Sequence, residues 1–204
     1  MDNAIKVLNL ASGDCLRTLE GHSEPVTSVA LSADGRTIIS GSAEGTIKVW
    51  DLESGDCLRT LQGHSWRVSS IALSADGRTI VSGSGDTTVK VWDLASGDCL
   101  RTLEGHSEPV TSVALAADGR TVVSGSQDRS IKVWELMETR LIASFTAAQA
   151  VHTVDLVDTH LIVASDYAQI HGCGCASRRV HSRRRLIKVY SCQVCKRIEL
   201  NDDD

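Results

Sequence analysis

With two prolines, one phenylalanine and aromatics at 3%, this 204-residue chain has few bulky or rigid side chains to build on. It also lacks a long apolar run, which excludes the reading of a membrane-spanning helix. No secretory signal pattern opens it. Asp2 and a strand-like AIKVLNL follow Met1 directly, so a cytosolic or nuclear protein is the expectation. Positive charge is short over most of the length. Residues 1–177 hold 13 Lys/Arg against 22 Asp/Glu, a net of −9. Such an acidic body argues against nucleic acid as a general partner, because attraction to phosphate needs a basic face. Only residues 178–204 reverse the sign, with 8 Lys/Arg against 4 Asp/Glu.

What the chain does have is repetition. The stretch from Gly21 to Gln62, GHSEPVTSVALSADGRTIISGSAEGTIKVWDLESGDCLRTLQ, returns from Gly63 and again from Gly105, a period of 42 residues. Copies one and two differ by swaps such as Val29/Ile71 and Ile39/Val81, which keep size and pattern. A fixed period of this length marks a repeat architecture in which each unit buries its apolar faces on its neighbours. Residues 4–19 match the back half of the unit, with Leu8 in the tryptophan's place and Asn9 in the aspartate's. Three of the seven cysteines, Cys15, Cys57 and Cys99, recur at one repeat position. They read as small buried apolar residues that need no disulfide.

Within a unit the pattern predicts four short strands. VTSVALS (26–32) alternates up to an Ala-Asp-Gly turn. RTIISGS (36–42) and TIKVWDL (46–52) flank a turn at Ala43–Gly45, and CLRTL (57–61) follows Ser-Gly-Asp. Helix-like spacing of three and four is missing, so each unit reads as an antiparallel meander.

Gly21-His22 followed by Val49-Trp50-Asp51, recurring in full copies at 21–62, 63–104 and 105–146, resembles the WD40 repeat, one four-stranded blade of a β-propeller. The resemblance implies an all-β fold: a WD40-type β-propeller or open propeller segment, about four antiparallel blades with a half-blade (4–19) in front. Rings of this kind hold about seven blades. The count therefore implies an incomplete ring, a fragment, or a protomer that closes by self-association. Residues 147–200 form a degenerate unit. Aligning Ser165 on Ser124 sets Gln169 at the turn-acid position, and LIKVYS (186–191) supplies the third strand and CKRIEL the fourth. An insertion near 168–185 is expected as a surface loop, and 201–204 as an acidic tail.

Each full unit holds a His, a Ser and an acid: His22/Ser40/Glu44, His64/Ser82/Asp86 and His106/Ser124/Asp128. That combination invites a hydrolase reading, but three copies in one chain suit architecture better than an active site. The resemblance implies that these residues join the third-strand tryptophans Trp50, Trp92 and Trp134 in buried hydrogen-bonded tetrads. Glu44, one methylene longer than aspartate, departs from the pattern. A second constellation, His171, Cys173, Cys175, His181, Cys192 and Cys195, lies beside Arg178, Arg179, Arg183, Arg184 and Arg185. Its irregular spacing predicts no metal, and no aromatic is interleaved with the arginines to stack bases.

The resemblance also implies that partners bind the face built from the loops after each Gly-His pair, the first-strand starts and the turns after the second strands. Those are the places where the units disagree. On this reading the site is Trp66, Arg67, Ser69, Gly85, Pro25, Thr27, Pro109, Thr111 and Gln127, serving a non-catalytic scaffold that binds a protein or peptide, with no cofactor. The competing reading is a nucleic-acid- or zinc-binding module through residues 171–195.

Overall fold

The computed structural model describes residues 3–157, 160–165, 170–171, 177–182 and 185–191, with side chains over 3–156. Among the described residues there are nineteen strands. β1 (Ile5–Leu8) and β2 (Cys15–Leu19) form a two-stranded half-blade. The first blade is β3 (Val26–Leu31), β4 (Thr37–Ser42), β5 (Ile47–Asp51) and β6 (Cys57–Leu61), paired in chain order. The second repeats this with β7 (Val68–Leu73), β8 (Thr79–Ser84), β9 (Val89–Asp93) and β10 (Cys99–Leu103). The third has β11 (Val110–Leu115), β12 (Thr121–Ser126), β13 (Ser130–Glu135) and β14 (Arg140–Ala147).

Turn chemistry explains why the strands stop where they do. After β3, Gly35 takes φ +69°, its N–H donates to the Ser32 carbonyl at 2.9 Å, and the Asp34 carboxylate accepts from Ser32 Oγ and the Arg36 amide. After β5, Gly55 takes φ +83° and donates to the Asp51 carbonyl at 2.9 Å, while the Asp51 carboxylate caps the Ser54 amide. Both turns place a residue in the left-handed region, where glycine carries no steric penalty.

The core lies between blades. One face of the first blade (Ile39, Ile47, Val49, Leu61) packs on Val68, Ile71, Ile80 and Trp92 of the second. Val81, Val89, Val91 and Leu103 then meet Val110, Val113, Val122, Trp134 and Leu136 of the third. β4, β8 and β12 are buried on both faces, which is why TIISGS, TIVSGS and TVVSGS read as continuous β-branched runs rather than as alternation.

The degenerate unit differs from the sequence reading. Its first two strands, β15 (Val151–Val157) and β16 (His160–Ser165), pair in a register that sets Val151 opposite Ser165 and Val154 opposite Val163. In the third blade Val110 stands opposite Ser126 and Val113 opposite Ser124. Ser165 therefore corresponds to Ser126, two residues from the alignment on Ser124, and Gln169 lies outside the described residues. β19 (Arg185–Ser191) pairs with β16 as the third strand. The segment read as an insertion supplies strands of its own: β17 (Ile170–His171) beside β14, and β18 (Ser177–Ser182) on the outer side of β19. CKRIEL and the acidic tail lie outside the described residues.

Candidate functional site

Each full blade carries one hydrogen-bonded chain of four side chains. In the second, Trp92 Nε1–H donates to Ser82 Oγ at 2.8 Å, Ser82 Oγ lies 2.7 Å from His64 Nε2, and His64 Nδ1 lies 2.8 Å from Asp86 Oδ2. Trp134, Ser124, His106 and Asp128 repeat these contacts at 2.8, 2.7 and 2.8 Å. In the first blade Trp50, Ser40, His22 and Glu44 make them at 2.8, 2.7 and 2.6 Å, so the longer acid still reaches the imidazole. A single proton order satisfies every atom: indole N–H to hydroxyl oxygen, hydroxyl O–H to Nε2, and Nδ1–H to carboxylate. Ser40, Ser82 and Ser124 are each 0% exposed, with the oxygen already accepting an indole N–H. A nucleophile must instead open onto a substrate, so these three sets are closed to hydrolysis.

The acids are held ionised. Burial pushes Glu44 up, but hydrogen bonds from Ser23, Thr46 and His22 outweigh it and bring the carboxyl down to about 2. Asp128 is likewise raised by burial and brought down to about 2 by Ser130 and His106. Against burial, His64 and Thr88 hold Asp86 well below the usual carboxylate range. Burial lowers His106 despite the opposing pull of Asp128, which fits a neutral imidazole donating from Nδ1.

The same acids fix the candidate face. Asp86 accepts from the Ser65 amide at 3.1 Å, Asp128 from the Ser107 amide at 3.1 Å and Glu44 from the Ser23 amide at 2.9 Å. Ser84 Oγ bonds the Trp66 and Arg67 carbonyls at 3.0 and 2.9 Å, and Gly85 N–H donates to the Arg67 carbonyl at 2.9 Å. The prolines repeat that clamp, with Ala43 N–H on the Pro25 carbonyl at 2.9 Å and Gln127 N–H on the Pro109 carbonyl at 3.0 Å. Loop and turn of each blade are thus one rigid surface. Trp66 lies across Gly85: a Cβ there would stand 2.5 Å from the indole Cδ1, so only glycine lets the ring settle. Arg67 and Gln127 are exposed, and Pro25 and Pro109 are half-buried.

Three of the candidate residues are committed elsewhere. Each first strand bulges after its first residue, at Val26/Ser28, Val68/Ser70 and Val110/Ser112, which re-aims Thr27, Ser69 and Thr111. The Thr27 hydroxyl reaches the Gly41 and Val68 carbonyls, that of Ser69 the Gly83 and Val110 carbonyls, and that of Thr111 the Gly125 and Val151 carbonyls. These hydroxyls tie blade to blade.

Sequence reasoning missed Thr87 and Arg129. Both take left-handed backbone, φ 71° and 67°, at the position where the first blade has Gly45 at φ 85°. The signal was the loss of that glycine in two copies, since strained non-glycine backbone gathers at functional surfaces. Cys15, Cys57 and Cys99 correct the expectation of burial. They are exposed free thiols on the outer strands, each donating to the carbonyl of Arg17, Arg59 or Arg101 at 3.5, 3.3 and 3.4 Å. Of the second constellation, Cys173, Cys175, Cys192 and Cys195 lie outside the described residues, as do Arg183 and Arg184. His171, Arg178, Arg179, His181 and Arg185 fall in strands.

The family model for the WD domain, G-beta repeat, matches residues 13–51, 55–93 and 97–135, more than half of the chain. The chain belongs to the WD40-repeat family. Each matched WD40 unit starts with the outer strand of one sheet and runs through the third strand of the next, so sequence repeat and blade are out of phase. No curated protein matches the chain. Among solved structures it is similar to the structure of U3-55K, at 29% identity and TM-score 0.70, over 72% of this chain and 48% of that one. The crystal structure of the RRP9 WD40 repeats matches at 30% identity and TM-score 0.70, over 72% and 47%. The chain thus covers about half the length of these neighbours. WD40 repeats mark a protein-interaction scaffold.

Proposed function

We propose that this chain is a non-catalytic scaffold that takes a partner protein or peptide on the loop face of its blades, with Trp66 and Arg67 as anchors and Gly85, Gln127, Pro25 and Pro109 around them. One observation carries the reading. Trp66 is 66% exposed, whereas Trp50, Trp92 and Trp134 are 1%, 1% and 3% exposed. An indole in solvent costs solvation unless something covers it, and tryptophan with an adjacent arginine is the pairing that dominates interface energies. The clamps from Ser84 and Gly85 hold this pair in place before a partner arrives, which lowers the ordering cost of binding. Thr27, Ser69 and Thr111 serve from beneath, fixing the blades that carry the loops.

The test is affinity capture from cell lysate with the purified chain, followed by identification of what it retains. Joint Trp66→Ala and Arg67→Ala substitution should abolish retention, each lost anchor removing about 2 kcal/mol or more. Joint Arg36→Ala and Arg78→Ala substitution, at exposed turns after the first strands, should leave retention intact. Survival of capture in the first variant and its loss in the second would move the functional face to the opposite side.

A further inference from the structure

Aspartate is followed by glycine at three places in the chain, Asp34-Gly35, Asp76-Gly77 and Asp118-Gly119, each in the turn between a first and a second strand. All three read Ala-Asp-Gly-Arg-Thr, so local sequence makes them equal. Backbone makes them equal too. Gly35, Gly77 and Gly119 take φ +69°, +69° and +68°, and their N–H groups donate to the carbonyls of Ser32, Ser74 and Ala116 at 2.9 Å. The three aspartates are exposed, and a Cβ built on any of the three glycines meets nothing within 4 Å. With no side chain to shield its nitrogen, a glycine amide in open space is where an aspartyl carboxyl group can close on the main chain.

One hydroxyl separates the third turn from the others. Ser32 Oγ–H donates to Asp34 Oδ1 and Ser74 Oγ–H to Asp76 Oδ1, each at 2.5 Å, the length of a strong charge-assisted bond. The Arg36 and Arg78 amides add bonds of 3.0 Å to the same oxygens. The serine hydroxyl, with the arginine amide behind it, holds each of these two carboxyls below the usual carboxylate range. Residue 116 is alanine, so no hydroxyl stands in that place. Asp118 Oδ1 accepts from the Arg120 amide at 2.8 Å and the Thr121 amide at 3.2 Å, and Oδ2 from Thr121 Oγ1 at 3.4 Å. The Thr121 amide thus turns to the carboxylate, whereas its counterparts on Thr37 and Thr79 bond the serine oxygen at 2.9 Å. Two of the three contacts of Asp118 lie at or past the long end of the hydrogen-bond range.

We propose that Asp118-Gly119 is a backbone isomerisation site, converting to isoaspartate ahead of the two serine-held turns. The Gly119 nitrogen attacks Cγ of the protonated Asp118 carboxyl group. A C–N bond forms, the C–OH bond breaks, and the hydroxyl leaves as water with the amide proton, giving a five-membered succinimide. Water then adds at one of the two ring carbonyls. Opening at Cγ restores aspartate, whereas opening at the main-chain carbonyl leaves the chain running through Cγ, as isoaspartate. One water leaves and one returns, so no other reactant is needed. At Asp34 and Asp76 the serine hydroxyl opposes the first step twice, by keeping the carboxyl ionised and by fixing Oδ1 so that Cγ does not swing onto the amide. The product adds one main-chain carbon to the turn joining β11 to β12, the pair whose register sets Val113 opposite Ser124.

The test is ageing of the full chain near neutral pH at physiological temperature, followed by tryptic digestion. Each turn ends on its own arginine, Arg36, Arg78 or Arg120, so the three aspartates fall in separate peptides. Isoaspartate is read from electron-transfer fragments and from enzymatic methylation of the freed α-carboxylate, and succinimide as loss of water. In the folded chain Asp118 should isomerise several-fold faster than Asp34 or Asp76. Ala116→Ser should slow it to their rate, and Ser74→Ala should bring Asp76 up to the rate of Asp118. The first of these variants adds a hydroxyl rather than removing one, so it reads out even if Ser74→Ala loosens the second blade. In chaotrope the three rates should converge, because the turns then share one sequence and no fold. Equal rates in the folded chain, a lead by Asp34 or Asp76, or an order unmoved by the exchange of serine and alanine each overturn the proposal. So does a lead for Asp118 that persists in chaotrope, which would place its cause outside the folded turn.

Discussion

Ser82 is where the second tetrad is most easily broken, because its oxygen accepts from Trp92 while its proton goes to His64. Ser82→Ala should cost about 1–3 kcal/mol, the penalty for buried groups left without partners, read as a lower denaturation midpoint. Acid should act in two steps. His106 has a folded value below its ordinary 6.5, so its stabilisation is full above that pH and fades as pH falls below it. Glu44 and Asp128 fall from ordinary values of 4.5 and 3.8 to about 2, so theirs is full above those values and fades as pH drops toward 2. A thermal-midpoint profile from pH 7 to about 2 checks both windows; replacing His106 by Gln should erase the upper one. Thr87→Gly relieves left-handed backbone at a β-branched residue and should stabilise by about 1 kcal/mol, less the greater freedom of glycine in the unfolded chain. At this scale the recurrence of His, Ser and an acid was legible in the sequence, and the resemblance to WD40 repeats implied that they join the third-strand tryptophans in tetrads. The thiols were misread because burial of Cys57 depends on which way a bulged outer strand turns, and one residue's type does not carry that. Thr27, Ser69 and Thr111 were placed on the right strand ends, but the bulge that aims their hydroxyls into the seam leaves no mark in the composition.

Strands and turns were legible for a different reason: Ala-Asp-Gly and Ser-Gly-Asp stop each run at the same offset in every copy, and three copies average out local ambiguity. The degenerate unit had no such redundancy. Ser165 looks like Ser124 in isolation, and only the pairing of Val151 with Ser165 shows it to be the counterpart of Ser126. The residues 177–182 offered no repeat signal at all, so their strand was found by structure alone. The second-strand glycines give a prediction proper to the element. Gly83→Ala forces a methyl against Val110 and should cost about 1–3 kcal/mol through overpacking. Adding Val110→Ala makes room, so the pair should destabilise by less than the sum of the two singles, a coupling measured by a double-mutant cycle. Gly77→Ala is the contrast. Nothing stands within 4 Å of it, and its cost, about 1 kcal/mol, comes from φ +69° alone, so no neighbouring truncation should relieve it.

Among the described residues the molecule is a row of sheets whose cores are shared pairwise, with no single centre. Stability in such a row is a sum of nearest-neighbour terms, so damage stays local. In Gly83→Ala protein, exchange protection should fall in β8 and β11 before it falls in β4 and β5. The near-identity of the seams has a further consequence for the length of the chain. Gly41 now rests on Val68 and Ile71, and Gly83 on Val110 and Val113, a difference of one methyl group between the two settings. Excising residues 63–104 would join Gln62 to Gly105 and bring Val110 and Val113 beneath Gly41, with the Thr27 hydroxyl directed to the Val110 carbonyl. Every remaining contact would find a partner of the right shape. Such a protein should still unfold in a defined transition with strand-type circular dichroism, whereas removing half that span should leave the seam at the cut without its partners and lower the midpoint. Gain or loss of material here is quantised in whole periods, and the gene can be lengthened or shortened by one without the fold having to be invented again.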